Sequence, residues 1–464
     1  MKLGKDLVSE FEKLVTNSME AYDAQGVAVS VFGPEDTYYE NFFGYRDTDA
    51  GLGVNADTIF GMASISKSFT CLALLQLVEK GIVDIEGLVS DYVPEFTGRN
   101  QKGLKVWHLM CHSGGFYPEK RILAKDVAEE IGILDSVDSD IAYNEELAKE
   151  GIKRIAERLD SRAKLIGKSG ELMSYSNDSY GIISDIVRTC GGYKTIAEYL
   201  NNEVIMPLGM ARTSMEFEAP AKDENCTQLY IKRDNVLTWS KDFYDNALVL
   251  MGGGALKSTV NDIKKYTKMY LGNGMLKDGT RLLSSNLINE MCKPRQFDGF
   301  QRYYGYGLTT KFIKDITVLG HGGGLTGVAN MFQWSPELEC GFIVFCNTTG
   351  FPAAAITNAA TNMALGISPG EPVDKYVDEP WREDMIRAAI GSYKSDEGSV
   401  YEVSYDNGKL CVLLDGKELE TRQVRKDMLV VERPYSSSEI IFNKNTKGEV
   451  WSIRTGSRLI AKEV

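Results

Sequence analysis

The sequence predicts an α+β protein: an antiparallel sheet flanked by helices, with an inserted all-helical subdomain, followed by a small all-β domain. Strand patterns occur near both ends of residues 1–367, and helical periodicity fills the middle of that region. If the strands of both ends share one sheet, the helices between them form an insertion. Short alternating runs separated by turn residues indicate a second domain at 386–464. A Pro-, Gly- and acid-rich stretch at 368–385 is expected to be the linker.

The first twenty residues predict an amphipathic helix rather than a signal peptide. Apolar residues recur at helical spacing over residues 3–19, with acids and lysines between them. No stretch of the sequence approaches the ~18 apolar residues of a membrane span. We therefore expect a cytoplasmic protein without a membrane span.

The next elements follow in chain order. Strands are expected at 26–32 and 37–45, joined by a turn at 33–36, and a buried apolar helix from near Ser64 to Gly81. Residues 119–170, rich in Glu, Lys, Asp and Ala, predict a solvated helical region. Further helices are expected at 181–188, 194–205, 260–271 and 353–365, and further strands at 316–319, 328–334 and 341–345.

Residues 386–464 predict a small barrel-like all-β domain. Their short alternating runs are separated by Asp406-Asn407-Gly408, Asp415-Gly416 and Lys447-Gly448. Asn, Asp and Gly tolerate positive φ, which tight hairpin turns require.

Composition excludes some classes of function. The formal net charge of −13 repels phosphate backbones, so we expect no nucleic-acid partner. The eight cysteines are scattered, and their closest pair, Cys340 and Cys346, lacks metal-ligand spacing. Three histidines give little support to a Ser-His-Asp triad, and His112 is expected to make a structural hydrogen bond. We expect reduced core cysteines, no metal and no cofactor.

Three short motifs that can carry chemistry occur in order: Ser64-x-x-Lys67, Tyr175-x-Asn177 and His321-Gly322-Gly323. Each alone is weak, since Ser-x-x-Lys also occurs at Ser161. The Ser161 match lies among charged residues typical of a solvated helix face, whereas Ser64 opens a buried apolar helix. The context of the motif therefore favours Ser64.

The spacing of Ser64 and Lys67 suits nucleophilic catalysis. Residues i and i+3 share one helix face, so the lysine amine can reach the serine hydroxyl. A serine hydroxyl needs a base, and a buried lysine loses its charge readily enough to act as one. Free N–H groups at a helix start can stabilise a developing oxyanion. We predict Ser64 as the nucleophile and Lys67 as its activating partner.

Residues 63–70 (Ala-Ser-Ile-Ser-Lys-Ser-Phe-Thr) resemble the active-site helix of the serine β-lactamase and penicillin-binding-protein superfamily. Tyr175-x-Asn177 resembles the second motif of the class C β-lactamase branch, which includes D-aminopeptidases, D-amino-acid amidases, esterases and D-Ala-D-Ala carboxypeptidases. The resemblance covers about residues 5–365 and implies a β-lactamase/transpeptidase-like fold. The C-terminal domain resembles the lipocalin-like appendage of some relatives.

The resemblance implies three catalytic residues. Ser64 attacks the carbonyl, and Lys67 and Tyr175 share the general-base work. A phenol with an ordinary pKa near 10 needs nearby positive charge for this role, which Lys67 would supply.

The resemblance also implies substrate contacts. Asn177 would hydrogen-bond an amide of the substrate, and His321 and Gly323 would lie on a strand edge facing the nucleophile. The backbone N–H groups of Ser64 and Gly324 would form the oxyanion hole.

One departure from the family pattern narrows the expected activity. The β-lactamases and carboxypeptidases carry a lysine where this chain has His321, and a largely neutral imidazole attracts a substrate carboxylate less well. The resemblance thus implies a serine hydrolase of the D-aminopeptidase, amidase or esterase type, acting on a small-molecule or peptide substrate. Two alternatives stay open: a penicillin-binding carboxypeptidase or weak β-lactamase, and an acyl-binding sensor with slow turnover. A homo-oligomer is compatible with the sequence.

Overall fold

The computed structural model describes residues 1–136, 141–406 and 408–463. Its α-helices are α1 (Lys5–Ala21), α2 (Ser66–Glu79), α3 (Val106–Met110), α4 (Ala124–Glu130), α5 (Glu145–Ser161), α6 (Asn177–Cys190), α7 (Ile196–Leu200), α8 (Glu218–Lys222), α9 (Val260–Leu271), α10 (Ser285–Cys292), α11 (Ala353–Ala364) and α12 (Glu383–Ala389). No helix within these ranges combines the length and the apolar character needed to cross a bilayer.

The strands up to residue 346 come from both ends of the larger domain. They are β1 (Gly26–Phe32), β2 (Thr37–Asp47), β3 (Leu52–Gly53), β4 (Phe60–Gly61), β5 (Leu229–Arg233), β6 (Val236–Ser240), β7 (Lys257–Ser258), β8 (Gln296–Gly299), β9 (Arg302–Tyr304), β10 (Thr309–Ile313), β11 (Ile316–Leu325), β12 (Val328–Ser335) and β13 (Cys340–Cys346).

Nine of these strands form one antiparallel sheet in the order β3-β2-β1-β13-β12-β11-β10-β9-β8. The interior strand β1 is buried along its whole length because helices cover both faces. On one face, Val29 packs in a cluster with α1 and α11, and on the other, Ala28 joins the cluster that includes α2 and α9. Since β3 precedes the helices α2 to α10 and β8 follows them, the predicted α+β fold with an inserted helical region is confirmed.

Helix α2 is buried on nearly all of its faces and precedes Gly81, which has φ +68°, as the sequence predicted. The helical region predicted at residues 119–170 is longer than the helical part of that segment in the structure. Helix α5 ends at Ser161, and residues 162–170 contain no helix, consistent with Gly167 and with Gly170 at φ +91°. Residues 137–140 of that segment lie outside the described residues.

The sequence did not predict the meander β8–β9–β10 or the hairpin β5–β6. The meander strands mix polar, charged and aromatic residues without strict alternation, so no strand period marks them.

The C-terminal strands form a second antiparallel sheet that curls into a nearly closed barrel, in the order β17-β16-β15-β14-β22-β21-β20-β19-β18. These strands are β14 (Gly391–Lys394), β15 (Val400–Asp406), β16 (Lys409–Leu414), β17 (Lys417–Leu419), β18 (Thr421–Val424), β19 (Met428–Arg433), β20 (Ser436–Lys444), β21 (Val450–Thr455) and β22 (Arg458–Lys462).

The predicted hairpin turns lie between paired strands of this barrel. Asp415 and Gly416 both have positive φ, as does Gly448. Asn407 lies outside the described residues, although β15 and β16 on either side of it are paired. Trp381 and Met385 pack in the barrel core, and α12 runs across the position where the domain boundary was placed. The exact boundaries at 367 and 386 stay a prediction.

Candidate active site

Ser64 lies in a 3₁₀ turn, Ala63–Ile65, between β4 and α2. Ala63 has φ +48°, a left-handed conformation that costs energy for a residue with a side chain. The turn is fixed by bonds on both sides: Met62 N–H donates to Leu256 O (2.7 Å), and the Ser66 hydroxyl donates to Ala63 O (2.7 Å). Ser64 itself is only half-buried. The turn therefore holds the hydroxyl rigidly while leaving it accessible.

Lys67 is fully buried in the first turn of α2. Its Nζ lies 3.2 Å from Ser64 Oγ, 2.9 Å from Asn177 Oδ1 and 2.6 Å from Gly253 O. Burial holds the pKa of this amine well below its usual range, and the charges of Arg458 and Arg121 lower it further. A neutral Lys67 donates two hydrogen bonds, to Asn177 and Gly253, and accepts one from the Ser64 hydroxyl. This arrangement is that of a base poised beside a nucleophile.

Tyr175 is buried against the same lysine, whose Nζ lies 4.9 Å from the centre of the phenol ring. Its hydroxyl has no hydrogen-bond partner among the described residues. Burial raises the pKa of the phenol, while the Ser64 hydroxyl and the Arg458 guanidinium act in the opposite direction. Burial thus favours the neutral form of both Lys67 and Tyr175.

The position of Tyr175 follows from the start of α6. The Ser176 hydroxyl accepts from Ser179 N–H (3.3 Å) and caps the helix, which places Asn177 at its first residue. Ser176 N–H donates to His112 Nδ1 (3.1 Å), and the His112 ring packs against the Tyr175 ring at a tilt of 32°, with the ring centroids 4.1 Å apart. The structural role predicted for His112 is confirmed by these contacts.

The third motif lies on β11. Strand β10 pairs with β11 from Ile316 to Gly320, so the following residues have no strand partner on that edge within the described chain. A Cβ atom at Gly323 would lie 2.1 Å from the carbonyl oxygen of Met62, in the segment that leads to Ser64. Only glycine permits this approach. The next residue, Gly324, is exposed.

His321 is buried and both of its ring nitrogens are engaged. Nδ1 lies 2.6 Å from Gly322 O and must donate to it, so Nε2 accepts from the Tyr304 hydroxyl at 2.9 Å. Burial lowers the pKa of the imidazole to about 4, and the neighbouring Lys67 also lowers it. His321 therefore supplies no positive charge near neutral pH, and its role in substrate binding stays a prediction.

The structure brings the predicted site residues together and places the second Ser-x-x-Lys sequence, which begins at Ser161, away from them. Ser161 lies exposed at the end of α5, where its hydroxyl donates to Arg158 O. The predicted residues lie around the Ser64–Lys67 pair: Ser64, Lys67, Tyr175, Asn177, His321, Gly323 and Gly324.

Sequence reasoning missed Arg121, Tyr304, Glu397 and Arg458. Tyr304 holds His321, Arg458 pairs with Glu397, and the charges of Arg121, Arg458 and Glu397 all act on Lys67. No local pattern marks them, because Arg458 and Glu397 come from the barrel and meet the site only through the tertiary fold. No sequence pattern around strand β9 indicates that Tyr304 contacts His321.

Comparisons with known proteins identify the family of this chain. The family model described as Beta-lactamase matches residues 11–365. A curated D-aminopeptidase of Brucella anthropi is 23% identical over 406 residues, which cover 84% of this chain and 67% of that protein.

Two solved structures share the fold. The octameric penicillin-binding protein homologue from Pyrococcus abyssi superposes with a TM-score of 0.67 at 24% identity, over 98% of this chain and 100% of that one. The D-amino acid amidase from Ochrobactrum anthropi SV3, complexed with L-phenylalanine amide, has a TM-score of 0.60 at 20% identity, over 78% of this chain and 98% of its own.

Proposed function

The chain belongs to the beta-lactamase family, and on that premise we propose that it is a serine hydrolase acting through an acyl-enzyme. The substrate is an amide or ester of a small peptide or peptide-like molecule. One observation carries this proposal: the buried amine of Lys67 lies between Ser64 Oγ and Asn177 Oδ1, and no carboxylate contacts it within the described chain. A buried amine without a counter-ion tends to be neutral and can accept a proton.

In the proposed acylation step, each of these groups has one role. Lys67 accepts the proton of the Ser64 hydroxyl as Oγ attacks the substrate carbonyl. The oxyanion that forms is bound by the backbone N–H groups of Ser64 and Gly324. Tyr175 donates its proton to the leaving amine or alkoxide, and the Lys67 ammonium returns a proton to Tyr175. The products of this step are the Ser64 ester and the released leaving group.

Deacylation uses the same groups in reverse. Water takes the place of the leaving group, and the Lys67–Tyr175 pair removes its proton as the water attacks the Ser64 ester. Collapse of the tetrahedral intermediate returns the proton to Ser64 Oγ and releases the acid. Asn177 holds Lys67 in place throughout, because its Oδ1 accepts one of the two hydrogens of the neutral amine.

The experiment compares wild type with Ser64→Ala and Ser161→Ala on p-nitrophenyl esters and D-aminoacyl amides. Ser161→Ala is the matched control, since it removes the serine of the second Ser-x-x-Lys sequence on an exposed helix end. We expect Ser64→Ala to lose at least about 10³-fold in kcat/KM and Ser161→Ala to keep wild-type activity. Equal activity in wild type and Ser64→Ala would contradict the proposal.

A fluorescent penicillin separates the alternative activities. A penicillin adduct that forms on Ser64 and persists, without ester or amide turnover, would favour a carboxypeptidase or an acyl-binding sensor. Rapid loss of the adduct with release of hydrolysed penicillin would favour a β-lactamase.

A further inference from the structure

A hairpin of the barrel packs against the segment that carries Tyr175. Strands β21 and β22 are joined by Gly456 and Ser457, which both have positive φ, as in a tight two-residue turn. Three hydrogen bonds attach this hairpin to the segment that carries Tyr175. They join Tyr175 N–H to Ser457 O (2.9 Å), Leu459 N–H to Ser174 Oγ (3.1 Å) and Arg454 Nη2 to Met173 O (2.8 Å). These bonds also fix Arg458, the residue that follows Ser457, relative to the catalytic groups.

The guanidinium of Arg458 lies with its Cζ 5.0 Å from the centre of the Tyr175 ring. Its Nε and Nη2 donate to the two carboxylate oxygens of Glu397, and its Nη1 donates to Gly456 O (3.0 Å). Since Arg458 occupies both oxygens of Glu397, that carboxylate is not free to bind a substrate ammonium.

A second guanidinium, that of Arg121, comes from the larger domain. Two residues earlier, Glu119 forms a β-bridge with Asp396, the residue before Glu397. The carbonyl of Lys120 accepts from Arg158 Nη1 (2.8 Å), and Arg158 also pairs with the carboxylate in the first turn of α6. Arg121 is therefore held between the start of α6, which carries Asn177, and the loop of Glu397.

In contrast to Arg458, Arg121 has no hydrogen-bond or ion-pair partner among the described residues, and it is exposed to solvent. Desolvation by the surrounding protein lowers the pKa of the Arg121 guanidinium. The charge of Glu397 raises this pKa, and the charge of Arg458 lowers it. The guanidinium groups of Arg458 and Arg121 both lower the pKa of Lys67, whereas the single carboxylate of Glu397 raises it. The charge that acts on the Ser64–Lys67 pair from this side is thus a net positive one.

We propose that Arg121, supported by the Arg458–Glu397 ion pair, binds a carboxylate of the substrate beside the scissile bond. This inference rests on the proposed serine hydrolase function. A guanidinium offers parallel N–H donors that match a carboxylate. On the β11 side of the site, His321 is neutral and both of its ring nitrogens are engaged, so among the described residues Arg121 is the group available for this purpose. A cationic substrate would meet two guanidinium groups, and the carboxylate described beside them, that of Glu397, is paired with Arg458.

The test uses two series of aryl esters, p-nitrophenyl esters with different acyl groups and butyrates with different phenol leaving groups, whose members differ mainly in charge. The acyl series compares the monosuccinate ester with the butyrate ester and the 4-aminobutyrate ester. A second series places the charge on the leaving group, with 4-carboxyphenyl butyrate against 4-carbamoylphenyl butyrate. The measured quantity is the ratio of kcat/KM for the anionic ester to that for its neutral partner, at low and high salt.

Wild type is expected to prefer the anionic ester in at least one series by about 10- to 100-fold, with a smaller ratio at high salt. Arg121→Gln should bring that ratio close to one. Glu397→Gln should raise it, because the neighbouring positive charge is then uncompensated. Lys120→Gln, which removes an exposed charge one residue away, should leave the ratio at its wild-type value. A purely structural role of Arg121 and Glu397 would not move the ratio in opposite directions.

A preference for the neutral or cationic ester in both series, or a ratio that Arg121→Gln does not change, would overturn the carboxylate subsite. That outcome leaves the serine hydrolase intact as long as Ser64→Ala abolishes turnover of the neutral ester. If no ester is turned over by wild type, both the subsite and the proposed function fail.

Discussion

The Nζ atom of Lys67 lies 3.2 Å from the Oγ atom of Ser64, and the lysine is fully buried. No carboxylate within the described chain contacts this amine, so its partners are the serine hydroxyl, an amide oxygen and a backbone carbonyl.

Replacing Lys67 by arginine should remove the base while keeping a cation. Guanidinium does not lose its proton in this pH range, so we expect kcat/KM for a p-nitrophenyl ester to fall about 10²- to 10⁴-fold. Lys164→Arg, at the exposed second Ser-x-x-Lys sequence, is the control and should have wild-type activity. An active Lys67→Arg enzyme would exclude Lys67 as the base.

The pH profile of kcat/KM should show a rising limb far below the ordinary lysine pKa. The neutral amine is the active form, and burial together with Arg458 and Arg121 lowers its pKa. Activity is therefore lost as the pH falls through this lowered pKa. Arg121→Gln should move the limb to higher pH, since it removes one of the charges. A limb near pH 10 in wild type would mean that Lys67 stays charged.

Tyr175→Phe should separate activity from stability. The hydroxyl is buried without a hydrogen-bond partner among the described residues, so its removal should leave the free energy of unfolding unchanged or slightly higher. Activity should fall about 10²- to 10⁴-fold through loss of the proton donor.

The matched variant for this test is Tyr304→Phe, which breaks the 2.9 Å hydrogen bond to His321 and should cost about 1 kcal/mol in urea unfolding. If Tyr175→Phe were destabilised as much as Tyr304→Phe and stayed active, the phenol of Tyr175 would have a structural role only.

Gly323→Ala and Gly324→Ala should differ although the two residues are adjacent. A Cβ at Gly323 would lie 2.1 Å from Met62 O, whereas at Gly324 the nearest atom is Val328 O at 4.0 Å. We expect Gly323→Ala to lose about 1–3 kcal/mol of unfolding free energy and to displace the Ser64 turn. Gly324→Ala should stay within about 0.5 kcal/mol of wild type. Equal stabilities would show that β11 does not approach the turn this closely.

His321 should make the protein less stable in mild acid. Its folded pKa of about 4 lies below the ordinary 6.5, so the unfolded chain binds the proton more readily between these values. The contribution of the neutral His321 imidazole to the free energy of unfolding is complete above pH 6.5 and is lost as the pH falls toward 4. From pH 7 to pH 5 the loss is about 2 kcal/mol, at about 1.4 kcal/mol per pH unit. Between pH 7 and pH 5, the free energy of unfolding measured in urea should fall by about 2 kcal/mol less for His321→Gln than for wild type. The same pH dependence in both proteins would argue against a buried neutral His321.

The sequence was most informative where the chemistry is local. Ser64 lies in the 3₁₀ turn that leads directly into α2, and Lys67 lies in the first turn of that helix, so their contact follows from local helical geometry. The family resemblance added Tyr175, Asn177 and His321, but not what they touch. The neutral state of His321 depends on Tyr304, which reaches it from β9, and no spacing in the sequence predicts that contact.

The groups that set the charge of the cleft were the hardest to predict. Arg458 and Glu397 lie more than 200 residues beyond Tyr175 in the sequence, within a barrel that the sequence marks only as a separate β domain. They reach the site because the turn at Gly456 and Ser457 bonds to the Tyr175 segment. Such contacts are decided by the packing of two domains, which local patterns do not encode.

The central claim is that Ser64 becomes acylated, and rapid-quench mass spectrometry with an ester substrate tests it most directly. During turnover, wild type should gain the mass of one acyl group, and peptide mapping should place it on Ser64. Ser64→Ala should gain none, while Lys67→Arg should acylate slowly or not at all. An acyl group on another residue, or ester turnover that Ser64→Ala retains, would contradict the account.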